Sequence, residues 1–544
     1  MVDLKGNPFY LTDEQILWVE NTLSGLSTEQ KAGQLFCVLG TIYDVPELKK
    51  LVTDYGVGGV LFRPEPTKDI IKKYEQIDCG AVPLLKAANL EEGGAGGVSD
   101  GTYFGTQMQV AATDDLNCCK NFASVCAEEG ISAGINWTFS PVCDIDYNFR
   151  NPITNVRTFG NDPAKVEQFA DTYVKTLQSM GMAACAKHFP GDGRDYRDQH
   201  LHPTINDLSA EEWHKSYGKI YRRLISDGLL CIMVGHIKQP AVEMSLNPAL
   251  SFGDCMPASL SKELITGVLR QMYGFNGVIT TDATIMGGYT MAMERRRAIP
   301  HTIACGCDMI VFSTDIYEDY NFMLDGIRSG IVTPERLDEA VTRILALKAK
   351  VCFGSGCAPI TNKSEMAKEC ADKAVTLVKN IGDILPVTPS RYKKIRLIVL
   401  GSDDIEGQSL TRLSKTILEQ SGFDVEIYSR EEDDMHGVGA LSRERLTLYI
   451  ANEPTESNRV TVRLSWNPKH AMDIPRYVHE EPSVFLSLYN PYHLQDVPAV
   501  KVYVNAYAPT VVNLKAALNK ISGNSPFRGV SPTDAFCGLP DTKY

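Results

Sequence analysis

Eight short apolar runs recur along the first two thirds of the chain, each separated from the next by a helix-forming stretch. They are QLFCVLG (34–40), GGVLFRP (58–64), PLLKAANLE (83–91), INWTFSPVCDI (135–145), MAACAKHFP (182–190), LCIMVGHI (230–237), GVITTDA (277–283) and CDMIVFST (307–314). Amphipathic stretches such as DPAKVEQFADTYVKTLQSMG (162–181) and SKELITGVLRQMYG (261–274) lie between them. Near-continuous apolar strands are those of a parallel sheet covered on both faces. Eight such β/α units predict a closed (β/α)8 barrel. An open doubly wound sheet is the competing arrangement, but no glycine fingerprint follows the first run, which argues against its dinucleotide-binding form.

At 544 residues the chain is too long for one hydrophobic core. The helical pattern ERLDEAVTRILALKAKV (335–351) closes the barrel region, so residues 1–351 are assigned to it. The polar, Gly- and Pro-containing stretch CFGSGCAPITNKS (352–364) reads as a linker. Residues 365–544 carry a second α/β pattern: a helix over 365–380, then strands at 395–401, 423–429, 446–452, 483–490 and 500–507. This predicts a smaller α/β sandwich.

A net charge of −13 leaves no basic footprint, so neither nucleic acid nor an anionic membrane is an expected partner. The N-terminal MVDLKGNPFYLTDEQ lacks the basic and apolar regions of a signal peptide, and no apolar run reaches the roughly 18 residues of a membrane span. Fifteen cysteines are scattered without a CxxC or framework spacing. They read as small core residues in a reducing compartment, so the expected location is cytoplasmic. No feature reports the oligomeric state.

In a barrel of this kind, chemistry sits at the carboxyl ends of the strands. The third run ends at Glu91-Glu92-Gly93-Gly94, and the fourth near Asp144 and Asp146 with Arg157 shortly after. The fifth ends at Lys187-His188 and leads into KHFPGDGRDYRDQH (187–200), the densest cluster of titratable groups in the chain. The sixth ends at His236 and the seventh at Asp282. Together they form one polar rim. Each residue also has a plainer reading. Asp282 could cap the next helix, Arg157 could form a surface ion pair, and His236 could be a hydrogen-bonded core histidine. The loop 191–200 could be solvated, or could bind a metal through His188, Asp198, His200 and His202. No tight ligand pairing such as HExxH is present, so neither a metal nor a cofactor is expected.

These segments together resemble glycoside hydrolase family 3. The resemblance is carried, in order, by LSTEQKAGQLF (26–36), GVGGVLF (56–62), NPITNVRTFG (151–160), KHFPGDG (187–193) and GVITTDA (277–283), then by AVTLVKNIGDILPV (374–387) and YNPYHL (489–494). It covers nearly the whole chain and implies a catalytic barrel followed by an α/β sandwich. The spacing from KHFPGDG to Asp198-Gln199-His200 is similar to that of the bacterial β-N-acetylglucosaminidase branch. The resemblance implies Asp282 as nucleophile, His200 as general acid/base and Asp198 as its orienting partner. It implies Arg157, Lys187, His188, His236 and Glu92 as residues around the sugar. Retaining glycoside hydrolysis needs such a carboxylate and such a proton donor, and a carboxylate on the far nitrogen of an imidazole fixes its tautomer and favours its charged form.

Some positions depart from that branch. Leu90 stands where an aspartate usually precedes Glu-Gly-Gly, AGGVSDG (95–101) lacks the usual arginine, and Asp192 and Gln199 replace the commoner histidine and serine. The expected activity is a retaining exo-β-N-acetylhexosaminidase on small saccharides such as cell-wall or chitin fragments. Alternatives are a β-glucosidase-like enzyme whose acid/base is Glu480 or Glu481 of HEEPSV, a glycoside phosphorylase, and a non-catalytic sugar-binding protein.

Overall fold

A computed structural model describes residues 2–353, 358–428, 444–466, 471 and 473–544. Each of the eight apolar runs contains a strand: β1 Phe36–Leu39, β2 Gly59–Leu61, β3 Leu85–Ala88, β4 Trp137–Thr138, β5 Ala183–Phe189, β6 Cys231–Val234, β7 Val278–Ala283 and β8 Met309–Val311. Neighbours in sequence pair in parallel, and β8 returns to β1 through Phe36↔Ile310, which closes the barrel. All seven residues of β5 and all four of β6 are buried, as near-continuous apolar strands covered on both faces require. The strand β4 is confined to two residues of its longer apolar run; Pro141, just beyond it, has no N–H to give a ladder. Parallel contact resumes only as a single bridge, Val142↔Lys187.

The expected helices are present at Pro163–Ser179 and Pro334–Val351. The stretch 261–274 holds a helix at Glu263–Met272 that is wound more widely than an α-helix, its end closed by an i→i+5 bond from Tyr273 N to Val268 O. No described cysteine is in a disulfide, and all but Cys79 and Cys352 are buried. No helix among the described residues is long and apolar enough to cross a membrane.

The chain divides into two compact units. The first holds the barrel and comprises Met1–Phe104, Cys119–Asn148 and Asp162–Lys363; the second comprises Gly105–Cys118, Phe149–Asn161 and Ser364–Tyr544. The second contains a six-stranded mixed sheet built from β9 Thr376–Asn380, β10 Lys394–Gly401, β11 Asp424–Ile427, β12 Arg445–Asn452, β13 Ser483–Ser487 and β14 Val502–Asn505, in the order β9-β14-β13-β12-β10-β11. Only β9 runs antiparallel to its neighbour. Of the expected linker, residues 354–357 lie outside the described residues, as does Ser429 of the expected strand 423–429. The expected helix 365–380 requires correction. It ends at Ala374, and Thr376–Asn380 is the edge strand β9. Only Val375 separates the two, so no turn residue marks the change.

Candidate active site

Lys187 and His188 occupy the carboxyl half of β5 and are almost wholly buried. A buried ammonium needs a partner, and Lys187 Nζ has two: Glu91 Oε1 at 2.6 Å and Asn89 Oδ1 at 3.0 Å. Both belong to the exit of β3. The structure brings Glu91 to Lys187; the main-chain carbonyl of Glu92, the expected sugar contact, accepts from Phe104 N at 2.7 Å.

The imidazole of His188 is oriented by Asp144, whose Oδ2 lies 2.6 Å from Nδ1. The other carboxylate oxygen of Asp144 accepts from the main-chain N–H groups of His188 (3.2 Å) and Asp192 (2.7 Å). Asp144 is thus the clip that turns the chain after β5. With Nδ1 held there, His188 Nε2 faces Asp282, 3.8 Å from its Oδ2.

Asp282 ends β7 with a side chain 15% exposed. Its Oδ1 accepts from Ala283 N at 2.7 Å, which is a local bond, not the cap of a following helix. Burial alone would raise the carboxyl, but the charges of His188, His236, His200 and Lys187 outweigh it and hold Asp282 at about 2. It is a carboxylate throughout the neutral range. That four cationic or potentially cationic groups act on this one oxygen pair also shows how the rim converges.

Asp198 and His200 lie on the loop after β5. Asp198 Oδ1 is 2.6 Å from His200 Nδ1 and also accepts from His200 N at 2.8 Å. The carboxylate side chain is fully buried, while the imidazole is 25% exposed. With Nδ1–H donating to Asp198, Nε2 has no protein partner among the described residues. Such an imidazole can give or take a proton at a bound molecule.

His236 differs and requires a correction to its expected sugar contact. It is fully buried, with Nδ1 2.9 Å from Ser259 Oγ and Nε2 3.0 Å from Ala283 O. Both nitrogens are used by the protein, and burial lowers the imidazole from its ordinary value. It is a core histidine.

Arg157 belongs to the segment Phe149–Asn161 of the second unit, where its Nη1 donates to Ile153 O at 3.1 Å. In the same unit, Glu481 is buried and accepts from Arg445 Nε (3.1 Å), Arg445 Nη2 (2.8 Å) and Thr447 Oγ1 (2.6 Å), whereas Glu480 is exposed. Glu481 is fully occupied as an ion-pair partner. Among the described residues no group of His, Cys, Asp and Glu is placed to hold a metal ion. Asp144, Glu91 and Asn89 are the partners that strand-end reasoning did not assign. Their signal was position alone, since each follows the end of a strand on the same rim.

Comparison with known proteins bears on this geometry. The model of the glycosyl hydrolase family 3 N terminal domain matches residues 27–347. A "Beta-N-acetylglucosaminidase/beta-glucosidase" of Cellulomonas fimi is 41% identical over the full length of both chains. "Beta-hexosaminidase A" of Pseudoalteromonas piscicida is 29% identical over 63% of this chain and 62% of its own. Among solved structures, "Beta-glucoside phosphorylase BglX" superposes with a TM-score of 0.93 at 40% identity, covering 99% of both chains.

Proposed function

Because the chain belongs to glycosyl hydrolase family 3, we propose that it is a retaining exo-β-glycosidase that removes terminal β-linked N-acetylhexosamine from small saccharides such as cell-wall or chitin fragments. The observation that carries the reading is an ionised carboxylate, Asp282, within the field of a carboxylate-oriented imidazole, His200. In the first step Asp282 bonds to the anomeric carbon while the glycosidic bond breaks, and His200 Nε2–H passes its proton to the departing oxygen. In the second step the neutral imidazole takes a proton from water, the water oxygen bonds to the anomeric carbon, and the ester to Asp282 breaks. Asp198 keeps Nδ1–H in place in both steps. Lys187 and His188, already oriented by Glu91, Asn89 and Asp144, are proposed to hold sugar hydroxyls. A sugar contact for Arg157 is proposed on the motif NPITNVRTFG alone. Cysteines that are mostly buried and outside any disulfide support a reducing, cytoplasmic setting.

The acetamide preference is the finer part of this reading. It is supported by the names of the Cellulomonas fimi and Pseudoalteromonas piscicida relatives, although the former is also named for glucosides. A panel of nitrophenyl β-GlcNAc and β-glucoside tests it. A kcat/KM at least tenfold higher on the acetamido sugar is expected, and the reverse order would replace hexosamine with glucose.

A second reading is favoured by one specific observation. A phosphorylase superposes over nearly the whole chain, and the proposed acid/base is an imidazole, which does not repel an incoming phosphate dianion as a carboxylate would. In that case phosphate, not water, discharges the intermediate. Turnover with and without inorganic phosphate decides between them: free sugar in both supports hydrolysis, and a sugar 1-phosphate formed at a higher rate supports phosphorolysis.

A further inference from the structure

We propose that Gln199, Gly287 and Gly288 form a clip that fixes the acid/base loop to the exit of the nucleophile strand, with Gln199 as a positioning residue for His200. The inference rests on the assignment of His200 as acid/base and Asp282 as nucleophile. Proton transfer requires the imidazole to sit roughly 2.6–3.2 Å from the oxygen it serves. A residue carried on a long polar loop does not meet that requirement unless the loop is tied down.

The ties come from two directions. From the first turn after β7, Gly287 N donates to His200 O at 2.8 Å and Gly288 N donates to Gln199 O at 3.1 Å. From within the loop, the fully buried side chain of Gln199 accepts from His236 N at 2.8 Å through Oε1, and its Nε2 donates to Asp192 Oδ2 at 3.4 Å. His236 Nε2 in turn donates to Ala283 O, the residue after Asp282. An unbroken run of bonds therefore leads from the acid/base loop, through Gln199 and His236, to the peptide next to the nucleophile. This gives the core histidine, both of whose nitrogens bond within the protein, a task in the clip.

The closeness of the backbones requires glycine. A Cβ at Gly287 would stand 2.2 Å from Leu201 O, and one at Gly288 would stand 2.6 Å from both Gln199 O and His236 Cβ. Neither backbone carbonyl can move aside without moving the loop that carries His200. Glycine at this place is explained by packing alone as well, so the test must separate positioning from mere support.

The experiment compares Gln199→Met, which keeps the volume but removes both side-chain bonds, with Gly287→Ala and His200→Ala. Each is assayed on a β-linked disaccharide and on the corresponding dinitrophenyl glycoside, whose leaving group departs without a proton. A displacement of about 1 Å can cost on the order of 100-fold. Gln199→Met and Gly287→Ala should therefore each lose roughly 10- to 100-fold in kcat on the disaccharide but less than about threefold on the activated glycoside. Labelling of Asp282 by an activated 2-fluoro glycoside should keep nearly its native rate. Equal losses on both substrates, or none, while His200→Ala discriminates between them, would overturn the clip and leave the acid/base assignment standing. No discrimination by His200→Ala would overturn that assignment and the clip with it. If Gln199→Met does not fold by near-UV circular dichroism, Gly287→Ala carries the same expectation from the other side. Failure of both to fold would mark the contacts as support only and overturn the positioning role.

Discussion

The loop after β5 and the exit of β6 each present a histidine close enough to act on the charge of Asp282, and they meet it on different terms. His236 is fully buried and gives its nitrogens to a serine hydroxyl and a main-chain carbonyl. The Ala283 carbonyl and the charge of Asp282 favour an imidazolium there, but burial outweighs them. His200 keeps a quarter of its side chain exposed, gives Nδ1 to the carboxylate of Asp198 and has no protein partner for Nε2 among the described residues. Proximity to a nucleophile is thus a poor guide to a histidine's part. What decides is whether its far nitrogen meets a charge and whether its near nitrogen is unused.

The comparison is broken most severely at the carboxylate that both histidines share. Asp282→Asn removes the charge but keeps the shape, so kcat should fall by at least about 10³-fold while the fold is retained. A slow 2-fluoro substrate should label Asp282 in the native enzyme, and a label on another carboxylate would show that the rim has been misread. The pH dependence follows the same residue. Its native value of about 2 lies below the ordinary 3.8. The lowered value adds stability above about pH 3.8 that is lost as pH falls toward 2, and the nucleophile should not set an acid limb of kcat/KM anywhere above about pH 4.

Next in size is the dyad. His200→Ala should slow cleavage of a disaccharide by roughly 10² to 10⁴-fold and cost far less with an activated aryl leaving group. Azide should restore turnover with formation of a β-glycosyl azide. Asp198→Ala should show the same selectivity more mildly, because the imidazole loses the carboxylate that orients it. If neither variant distinguishes leaving groups, the contrast between the two histidines has no catalytic meaning.

A smaller effect is expected at the clamp. Lys187→Met keeps most of the apolar stem but leaves Glu91 and Asn89 without the ammonium they share. KM should rise and kcat fall, together costing about 10- to 100-fold in kcat/KM. An alanine at Arg157 tests the motif-based role in the same assay, and unchanged kinetics would remove it.

These contrasts also show where the sequence was legible. The eight barrel strands stood out because a strand covered on both faces must be apolar throughout, and that pattern is local. The edge strand β9 was hidden because its only boundary with the preceding helix is Val375, and TLVKN carries no turn signal. At the site, Asp282, Lys187 and His188 were legible as polar residues ending apolar runs. Their partners were not, because Asp144–His188 and Glu91–Lys187 join different strands that meet only when the barrel closes. His236 passed as a sugar contact because strand position cannot report that Ser259, 23 residues on, fills its second nitrogen. Arg157 follows β4 in sequence, yet its segment folds with the second unit. Chain order does not disclose such an excursion.

The smallest effect on catalysis is expected at the second unit's glutamates, and it sharpens the assignment by exclusion. A carboxylic acid that donates protons to substrate must be free to change its charge. Glu481 accepts three hydrogen bonds from Arg445 and Thr447 in a buried pair, so protonating it would break the ion pair it holds. Removing one partner of such a pair costs about 3–5 kcal/mol because the remaining charge is left buried. Glu481→Gln should accordingly lower the thermal stability of the second unit, while the folded variant, assayed well below its transition, keeps the native ratio of disaccharide to aryl glycoside rates. Glu480 is exposed, and Glu480→Ala should change neither stability nor kcat by more than about twofold. A variant at either position that loses the disaccharide but spares the activated glycoside would move the proton donor from the loop after β5 to this unit, and His200 would then be a structural residue.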